Sequence, residues 1–324
     1  MISLAISSID ESTRVDQFLS DRFDNLSRSK IQKMIQDNSI LVNGQSVKKK
    51  YLLQIGDKIT LEEKILNQTF KEILPWNHPL DILYQDENLA VINKPKGIVV
   101  HPTTVNQDHT LVNILLAHFD QKIDQSIDSL RPGIVHRLDK DTSGIMIIPF
   151  TAFAHWKIAE QFKNREVKKE YLAITWGLWN QEEGLISDYL IRNRSNPKQF
   201  ISSNLKRGKS ANTNFELVKN GQYLSLLKFF PTTGRTHQIR VHSKSKGHII
   251  FGDDLYGGGI SKAKEYSKEI SDKMIEYASP VAGHFLHATS ISFIHPVLNE
   301  TMTFSVNPDD QFQKLQNDIL SETI

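Results

Sequence analysis

Cysteine is absent from the 324-residue chain. Its absence excludes disulfides, thiolate metal sites and cysteine nucleophiles. The chain also lacks an apolar run of about 20 residues, the length that a membrane-spanning helix needs. Residues 1–6 lack the basic and apolar regions of a signal peptide. We therefore expect a cytoplasmic protein with no membrane partner.

Net charge is also small. The 39 Lys and Arg nearly balance the 37 Asp and Glu, which leaves +2 at pH 7. This value does not identify a nucleic-acid binder, because only a local concentration of positive charge would do so. Hydrophobic residues make up 39% and charged residues 23%, as in ordinary globular proteins. The length is typical of two domains.

Residues 1–64 predict a small N-terminal domain. Apolar residues with helical spacing indicate one helix from Val15 to Phe23 and a second helix that begins after Ser27. Residues 40–42 predict a short strand that is followed by an Asn-Gly turn, and residues 51–61 have a second strand signal around a turn at Gly56-Asp57.

Positive charge is concentrated in two places in this domain. Asp37 is the only acid between Arg28 and Lys50. The pattern is consistent with a solvated charged face or with a surface that contacts phosphates. The six cations are Arg28, Lys30, Lys33, Lys48, Lys49 and Lys50.

Three segments of the domain resemble the S4 RNA-binding domain. They are Thr-Arg-Val-Asp-Gln-Phe-Leu at 13–19, Ser-Arg-Ser-Lys-Ile-Gln-Lys-Met-Ile at 27–35 and Leu-Val-Asn-Gly-Gln-Ser-Val-Lys-Lys at 41–49. The resemblance covers residues 13–62. It implies a structured RNA partner, usually ribosomal, and favours the phosphate-contacting alternative for the basic residues.

The remainder of the chain predicts a linker at 65–80, a catalytic domain at 81–310 and a polar tail at 311–324 that frays. Strand patterns outnumber helical ones, so we expect an α+β fold with a mixed, mainly antiparallel sheet. Residues 257–279 indicate an inserted loop or a surface helix. Strands are predicted at 82–84, 89–93, 144–149, 171–176, 224–230, 249–251 and 291–294, and helices at 111–119 and 152–162.

The segment 131–144 places five polar or charged residues between two apolar runs: His136, Arg137, Asp139, Lys140 and Asp141. Such a loop is typical of a catalytic cleft, although an ordinary polar turn has the same composition. Three chemistries fit it: a D-x-D phosphatase, a hydrolase using Ser143, and a carboxylate acting on a nucleoside. The hydrolase lacks a G-x-S-x-G elbow, and the phosphatase motif lacks its uninterrupted preceding strand.

The third chemistry needs a fixed cation, because burial alone would raise the pKa of Asp139 and neutralise it. Arg240 is the candidate partner. It lies between Ile239 and Val241, and on a strand it would point away from both. A surface arginine has the same pattern, so the local sequence leaves both alternatives open.

Six ordered motifs resemble the ribosomal large-subunit pseudouridine synthases of the A-type branch, with the S4-like domain most similar to the C and D members. Together with the N-terminal domain, the motifs extend the resemblance over residues 13–305. They lie at 93–102, 136–144, 169–173, 233–242, 252–257 and 286–288.

The resemblance implies an enzyme that isomerises uridine to pseudouridine in RNA. Its expected substrate is 23S ribosomal RNA, although members of this family also modify transfer RNA. Asp139 matches the catalytic aspartate, acting as a nucleophile or through a glycal-like intermediate. Arg137 matches the arginine that fills the gap left by the flipped base. Tyr171 matches the tyrosine that stacks on uracil, and Arg240 the arginine that pairs with Asp139.

The resemblance implies no metal and no cofactor, and we expect a monomer. Lys94 and Lys96 are expected to reach phosphates, and Arg235 and His237 to contact RNA or support their loop. The alternative to an enzyme is a ribosome-associated binding factor with an inactive catalytic domain. The presence of Asp139, Tyr171 and Arg240 together favours the enzyme.

Overall fold

The computed structural model describes residues 2–5, 12–22, 28–61, 73–102, 108–119, 121–124, 131–203, 205, 207–278 and 283–321. Described residues up to Ile73 form one compact unit, and those from Leu74 onward form another. Among the described helices, none is long and apolar enough to cross a membrane.

The first unit packs two helices on a three-stranded antiparallel sheet with the order β1-β3-β2. One face of the second helix buries Ile31, Met34 and Ile35 against the sheet and the first helix. The elements are β1 (Ile2–Ala5), α1 (Val15–Arg22), α2 (Arg28–Gln36), β2 (Ile40–Val42) and β3 (Lys58–Leu61).

Of the predicted strand signal at 51–61, the part after the Gly56-Asp57 turn forms β3, and the part before the turn does not form a strand. The Asp57 carboxylate accepts hydrogen bonds from the backbone N–H of Gln54 (2.9 Å) and from the hydroxyl of Tyr51 (3.0 Å), so this stretch closes into a turn. Only an isolated bridge joins Leu52 to Arg14. The predicted helix start at Ser27 and the apolar Phe23 lie outside the described residues.

The second unit is built on a ten-stranded sheet with the order β4-β5-β6-β12-β7-β11-β10-β8-β9, and β13 pairs with β12. Every pair is antiparallel except β6 with β12. The fold is therefore α+β, as predicted. The strands are β4 (Asp81–Gln85), β5 (Leu89–Lys94), β6 (Ser143–Pro149), β7 (Lys168–Trp176), β8 (Glu183–Arg192), β9 (Phe200–Ser202), β10 (Lys209–Asn220), β11 (Leu224–Pro231), β12 (Leu286–Ile294) and β13 (Thr301–Ser305).

Helices flank this sheet and contribute to its apolar cores. The α-helices are α3 (Leu111–Phe119), α4 (Ala152–Asn164), α5 (Gln238–Ser245), α6 (Ile260–Ala263), α7 (Lys268–Tyr277) and α8 (Asp310–Leu320), and Asp254–Tyr256 forms a 3-10 turn. The region predicted as an inserted loop or surface helix contains α6 and α7. Both bury residues in the core that also receives Trp176.

The structure corrects two further expectations. Residues 249–251 form an isolated bridge from Ile250 to Thr175 and no strand. The polar C-terminal segment does not fray over its described part. Helix α8 begins at the cap Asp309 and buries Phe312, Leu315 and Ile319, so its apolar face is sufficient to hold it on the core.

Gly144 allows the parallel pair of β6 and β12 to form. It pairs with Ala288 of β12 and has φ +116°. A Cβ at this position would lie 2.3 Å from the Ala288 carbonyl oxygen. Ala288 in turn pairs with Tyr171 of β7. Gly144, Ala288 and Tyr171 therefore lie in one row across β6, β12 and β7. This row fixes the position of Tyr171 relative to the loop that carries Asp139, five residues before Gly144.

We predict that Gly144→Ala lowers the free energy of unfolding by about 3 kcal/mol or more, because backbone strain and a backbone clash act together. Gly247→Ala is the matched control. Its φ is +87°, but nothing lies within 4 Å of its added Cβ, so it should cost only about 1–2 kcal/mol. Chemical denaturation measures both values, and equal losses would contradict the role given to the close strand approach.

Candidate active site

His136 anchors the loop that carries Asp139. Its Nε2 accepts a hydrogen bond from the backbone N–H of Ile147 (2.9 Å), and its ring stacks on Phe162 at 4.5 Å between centroids. Burial, with a smaller contribution from nearby Lys169, lowers the pKa of His136 to about 3. The ring is therefore neutral at pH 7 and acts as a structural acceptor that ties the loop to β6.

Two contacts hold the other end of the loop. The backbone N–H of Thr142 donates to the Asp139 carbonyl oxygen (3.2 Å), and the Thr142 hydroxyl bonds His284 Nε2 (2.7 Å). Burial lowers the pKa of His284 to about 4, so this ring is also neutral at pH 7. The loop is thus fixed on both sides of Asp139 by uncharged rings.

Lys94 holds the loop from beneath, which contradicts the expectation that it reaches phosphates. The side chain is fully buried, and its ammonium donates to the carbonyl oxygens of Pro95 (2.7 Å) and Lys140 (3.1 Å). Burial lowers its pKa to about 7, although Asp141 and Asp139 oppose that shift. Lys94 is a support for the loop and has no exposed surface for RNA.

Arg240 connects two carboxylates. Its Nη1 donates to Asp139 Oδ2 at 2.9 Å, while Nε and Nη2 donate to the two oxygens of Asp253 at 2.7 and 2.8 Å. Arg240 and Asp253 are buried, and Asp139 retains 17% of its side-chain exposure. The bidentate pair with Asp253 fixes the guanidinium plane, so that the remaining donor is aimed at Asp139.

Arg240 is the partner of Asp139 that the family resemblance implied, but it lies on a helix, and its second partner Asp253 was not predicted. Residues 238–245 form helix α5, not a strand, and Ile239, Arg240 and Val241 are all buried. The alternation of polar and apolar residues suggested a strand. A helix that is buried on several sides has no polar face, so its sequence lacks the usual helical period. Asp253 lies in the motif at 252–257, and a buried arginine with five N–H donors needs more than one acceptor.

Opposing effects set the pKa of Asp139. Burial favours the neutral acid, whereas His237 and Arg240 favour the carboxylate, and the pKa lies below its ordinary value. Burial also lowers the pKa of His237, so at neutral pH its ring is uncharged and the permanent cation is Arg240. We therefore assign the stabilisation of the carboxylate at pH 7 mainly to Arg240.

His237 faces Asp139 from the start of α5. Its backbone is left-handed at φ 58°, a conformation that costs a non-glycine residue free energy and is common at functional sites. Its Nδ1 lies 2.9 Å from the Tyr256 hydroxyl, and its Nε2 lies 3.8 Å from Asp139 Oδ2. The backbone N–H of Phe200 also donates to that hydroxyl (2.9 Å), so Tyr256 connects His237 to β9.

Tyr171 reaches the site from β7. It pairs with Ala288 on one side and Phe229 on the other, and its ring packs against two apolar clusters, one of which contains Ile239. Burial, assisted by the negative charge of Asp139, raises its pKa well above the ordinary value. Tyr171 is therefore a neutral phenol that offers a flat apolar face next to the carboxylate.

The other predicted residues of this unit lie in different settings. Arg137 is exposed, two residues before Asp139. Arg235 is half-buried, and its Nε donates to the Ser210 carbonyl oxygen (3.1 Å), which supports its loop. Lys96 does not reach outward as expected. Its ammonium lies 3.2 Å from Asp309 and 4.6 Å from the centre of the Phe285 ring.

In the S4-like unit, Arg28 has a structural contact as well as an exposed surface. Its Nε donates to Asp16 (3.0 Å), and the buried Asp16 carboxylate also accepts from Arg14 and Gln32. Burial would raise the pKa of Asp16, but these hydrogen bonds hold it well below its usual range. Lys30 is half-buried.

The remaining basic residues of that unit are exposed: Lys33, Lys48, Lys49 and Lys50. Val15 N–H donates to the Tyr51 carbonyl oxygen (2.9 Å). This bond places the backbone that adjoins Lys50 close to Asp16, whose carboxylate accepts a hydrogen bond from Arg28. The two basic clusters therefore approach one another within the unit.

The Ser143 alternative has no accessible nucleophile. The hydroxyl bonds His287 Nδ1 at 2.8 Å, and the serine retains only 6% exposure. His287 Nε2 lies 3.2 Å from the Val306 carbonyl oxygen instead of a carboxylate. Across the described ranges, no group of three or more His, Cys, Asp or Glu side chains is arranged to hold a metal ion.

Comparison with known proteins shows the family to which the chain belongs. Residues 88–245 match the RNA pseudouridylate synthase family, and residues 13–59 match the S4 domain. An uncharacterized RNA pseudouridine synthase of Chlorobaculum parvum is 38% identical over 315 residues, which cover 95% of each chain. The ribosomal large subunit pseudouridine synthase D of Yersinia pestis is 33% identical over 310 residues, 96% of this chain and 92% of that one.

A solved structure, human RNA pseudouridylate synthase domain containing 1, superposes with a TM-score of 0.54 and 25% identity, covering 72% of this chain and 85% of that one. The fold and site thus define an RNA-modifying enzyme. The chain belongs to the RNA pseudouridine synthase family and isomerises uridine in RNA, as the ordered motifs predicted.

We predict that Arg240→Gln moves the acid limb of the pH–rate profile to higher pH. Without the cation, burial is less strongly opposed and the pKa of Asp139 rises, so the active carboxylate is lost earlier as the pH falls. At neutral pH the rate should fall about 10²–10³-fold. Single-turnover pseudouridine formation across pH measures both effects.

The single variant also leaves Asp253 as an unpaired buried charge, which costs about 3–5 kcal/mol. Arg240→Gln/Asp253→Asn is therefore the companion variant. It should regain stability while the acid limb stays displaced. An acid limb that remains at the wild-type pH in the folded double variant would contradict the assignment of Arg240.

Proposed function

We propose that this enzyme converts specific uridines of 23S ribosomal RNA to pseudouridine, with Asp139 as the catalytic carboxylate. The observation that carries the proposal is the pairing of Asp139 with a buried arginine that a second carboxylate fixes in place. Several relatives are named ribosomal large subunit pseudouridine synthase D, which supports ribosomal RNA as the substrate.

In the proposed reaction, the bond between uridine N1 and ribose C1′ breaks and a bond between C5 and C1′ forms, after which C5 loses its proton and N1 takes up a proton. Negative charge on Asp139 favours cleavage, either by bonding C1′ or by stabilising positive charge on the ribose. Both routes require the ionised form that Arg240 maintains. No electron is gained or lost in the exchange of bonds.

The base must leave its stack to reach Asp139, at a cost of a few kcal/mol. We assign Arg137 to the vacated position, because its exposed guanidinium stands two residues from the carboxylate. Tyr171 offers a neutral ring on which uracil can stack. Because its pKa is raised, Tyr171 keeps its phenol proton at neutral pH. In proton transfer it can therefore act only as a neutral hydrogen-bond donor.

The S4 domain supports a structured RNA as the partner. We propose that Arg28, Lys30, Lys33, Lys48, Lys49 and Lys50 contact its phosphates, with Arg28 held in position by Asp16. The enzyme acts as a monomer in the cytoplasm, where ribosomal RNA is available in bacteria. Arg235 and His237 are assigned to support of the site, in keeping with their hydrogen bonds.

We predict that Asp139→Asn reduces turnover by about 10³-fold or more, because the amide cannot supply the negative charge. The amide preserves the size of the side chain, so RNA binding should stay within a few-fold of wild type. Tritium release from RNA labelled at uridine C5 measures the reaction. Asp141→Asn is the matched control in the same loop and should retain most activity, whereas a D-x-D phosphatase would need both aspartates.

The substrate is tested by mapping pseudouridines in cells with and without this protein. We expect loss of one or more sites in 23S ribosomal RNA, restored by the wild-type chain and not by the Asp139→Asn variant. Unchanged ribosomal RNA with sites lost in transfer RNA would contradict the ribosomal substrate while leaving the reaction intact.

A further inference from the structure

His237 has a backbone conformation that its own helix does not require. It is the N-cap residue of α5 and has a left-handed φ of 58°, yet its side chain makes no capping hydrogen bond. Such a conformation destabilises a non-glycine residue and is retained where a side chain must be held in a particular place. Here it places the imidazole beside Asp139, with Nε2 3.8 Å from Oδ2 of that residue. The backbone therefore indicates a role for this ring at the carboxylate.

Two aromatic rings and one hydrogen bond fix the plane of the His237 ring. Phe200 and Tyr256 stand nearly perpendicular to it, with interplanar angles of 78° and 86° and centroid distances of 5.8 and 5.7 Å. The Tyr256 hydroxyl lies 2.9 Å from Nδ1. Because a hydroxyl can both donate and accept, it can pair with Nδ1 whether or not that nitrogen carries a proton. Nδ1 is therefore occupied by Tyr256, and Nε2 is the nitrogen that faces Asp139.

Nε2 of His237 is available for a reaction. Its 3.8 Å distance to Asp139 exceeds that of a hydrogen bond, no other described residue bonds it, and the side chain retains 15% of its exposure. Burial lowers the pKa of His237, while Asp139 opposes that shift and Arg240 adds to it. Two further charges, Asp253 and Arg137, act in opposite directions. The ring is uncharged at neutral pH, and an uncharged imidazole has one nitrogen that can accept a proton.

The reaction needs a group that moves a proton, and three other described neighbours of Asp139 are unsuited to it. Tyr171 keeps its phenol proton, because burial and the charge of Asp139 raise its pKa well above the ordinary value. Burial opposes the charge of Arg240, but its two carboxylate partners raise its pKa, so it stays a cation. His284 is buried, and its Nε2 is engaged in holding the loop. His237 combines a neutral ring, residual exposure and an unbonded nitrogen.

We propose that His237 carries the proton from uracil C5 to N1 through Nε2, in addition to supporting the site. The inference rests on the proposed function, in which Asp139 acts at C1′. Once C5 is bonded to C1′, Nε2 takes the C5 proton. The electrons of the C–H bond form the C5=C6 double bond, and those of the C6=N1 double bond move to N1. N1 then takes a proton from the imidazolium, so the ring returns to its neutral form and the charges balance.

The first test is His237→Asn in the full chain. Asparagine tolerates a left-handed backbone, and its amide can occupy the place of Nδ1 beside Tyr256, but it has no atom at Nε2. Single-turnover pseudouridine formation should slow about 10²-fold or more, while RNA affinity stays within a few-fold of wild type. Deuterium at uridine C5 should slow the variant further, and by a larger factor than in the wild-type enzyme, because removal of the C5 proton has become rate-limiting.

The isotope effect separates proton transfer from support of the site. A ring that only positions Asp139 would slow cleavage of the N1–C1′ bond, and deuterium at C5 would then matter no more than in wild type. That result, or an unchanged rate, would overturn the proposal and assign the proton to Asp139 itself. His248→Asn is the matched control, since its Nδ1 also has a partner, the Trp176 carbonyl oxygen at 3.1 Å, and its ring stacks on Trp179. It should keep the wild-type rate and isotope effect.

Chemical rescue gives a second readout. His237→Gly suits the left-handed backbone and leaves room for free imidazole. Added imidazole should restore part of the lost rate, and more of it as the pH rises, because only neutral imidazole accepts a proton. No recovery at any imidazole concentration would contradict the proposal. Failure of the proposed function is distinguishable, because Asp139→Asn would then form pseudouridine at the wild-type rate, whereas failure of this inference leaves that variant inactive.

Discussion

The site depends on one guanidinium between two carboxylates. Arg240 has enough donors to satisfy Asp253 completely and still bond Asp139. If Asp253 were missing, the same cation would have more freedom to turn towards solvent or to pair symmetrically with Asp139. The asymmetry gives each acid a separate place: Asp253 fixes the arginine through two hydrogen bonds, and Asp139, the carboxylate that we propose for catalysis, receives one. A buried charge pair is thereby used for orientation, and its contribution to stability is secondary.

The sheet determines where this arrangement can form. A parallel pair between β6 and β12 interrupts an otherwise antiparallel order, and Gly144 permits the close approach. The loop with Asp139 therefore enters the sheet beside β12, and Tyr171 follows on the next strand. Neutral His136 and His284 and the buried amine of Lys94 hold the loop without placing a competing permanent charge next to Asp139. Of these three, only the lysine has a pKa near neutrality.

Sequence reasoning recovered the class of fold, several element boundaries and the family, because these depend on local periodicity and on ordered motifs. Leu111–Phe119 is an example in which apolar spacing alone predicts the helix. The secondary structure around Arg240 was wrong, because its helix is buried on several faces and so lacks a polar side. Sequence reasoning also failed for Lys94 and Lys96, since a lysine in a motif carries no local signal of burial. Asp253 was missed because its partner lies thirteen residues away, in a contact that only tertiary structure makes.

Helix α8 has a consequence for the order of folding during synthesis. Phe312, Leu315 and Ile319 complete an apolar core whose other members include Trp176, Leu224 and Phe285. Asp309, at the start of the same helix, pairs with Lys96 near the opposite end of the catalytic unit's sequence. Domains generally fold from the N-terminus as they emerge, so the S4 domain can form early. The catalytic core, in contrast, has an exposed apolar surface until residues 310–320 have left the ribosome, and the enzyme cannot mature on a partly made chain.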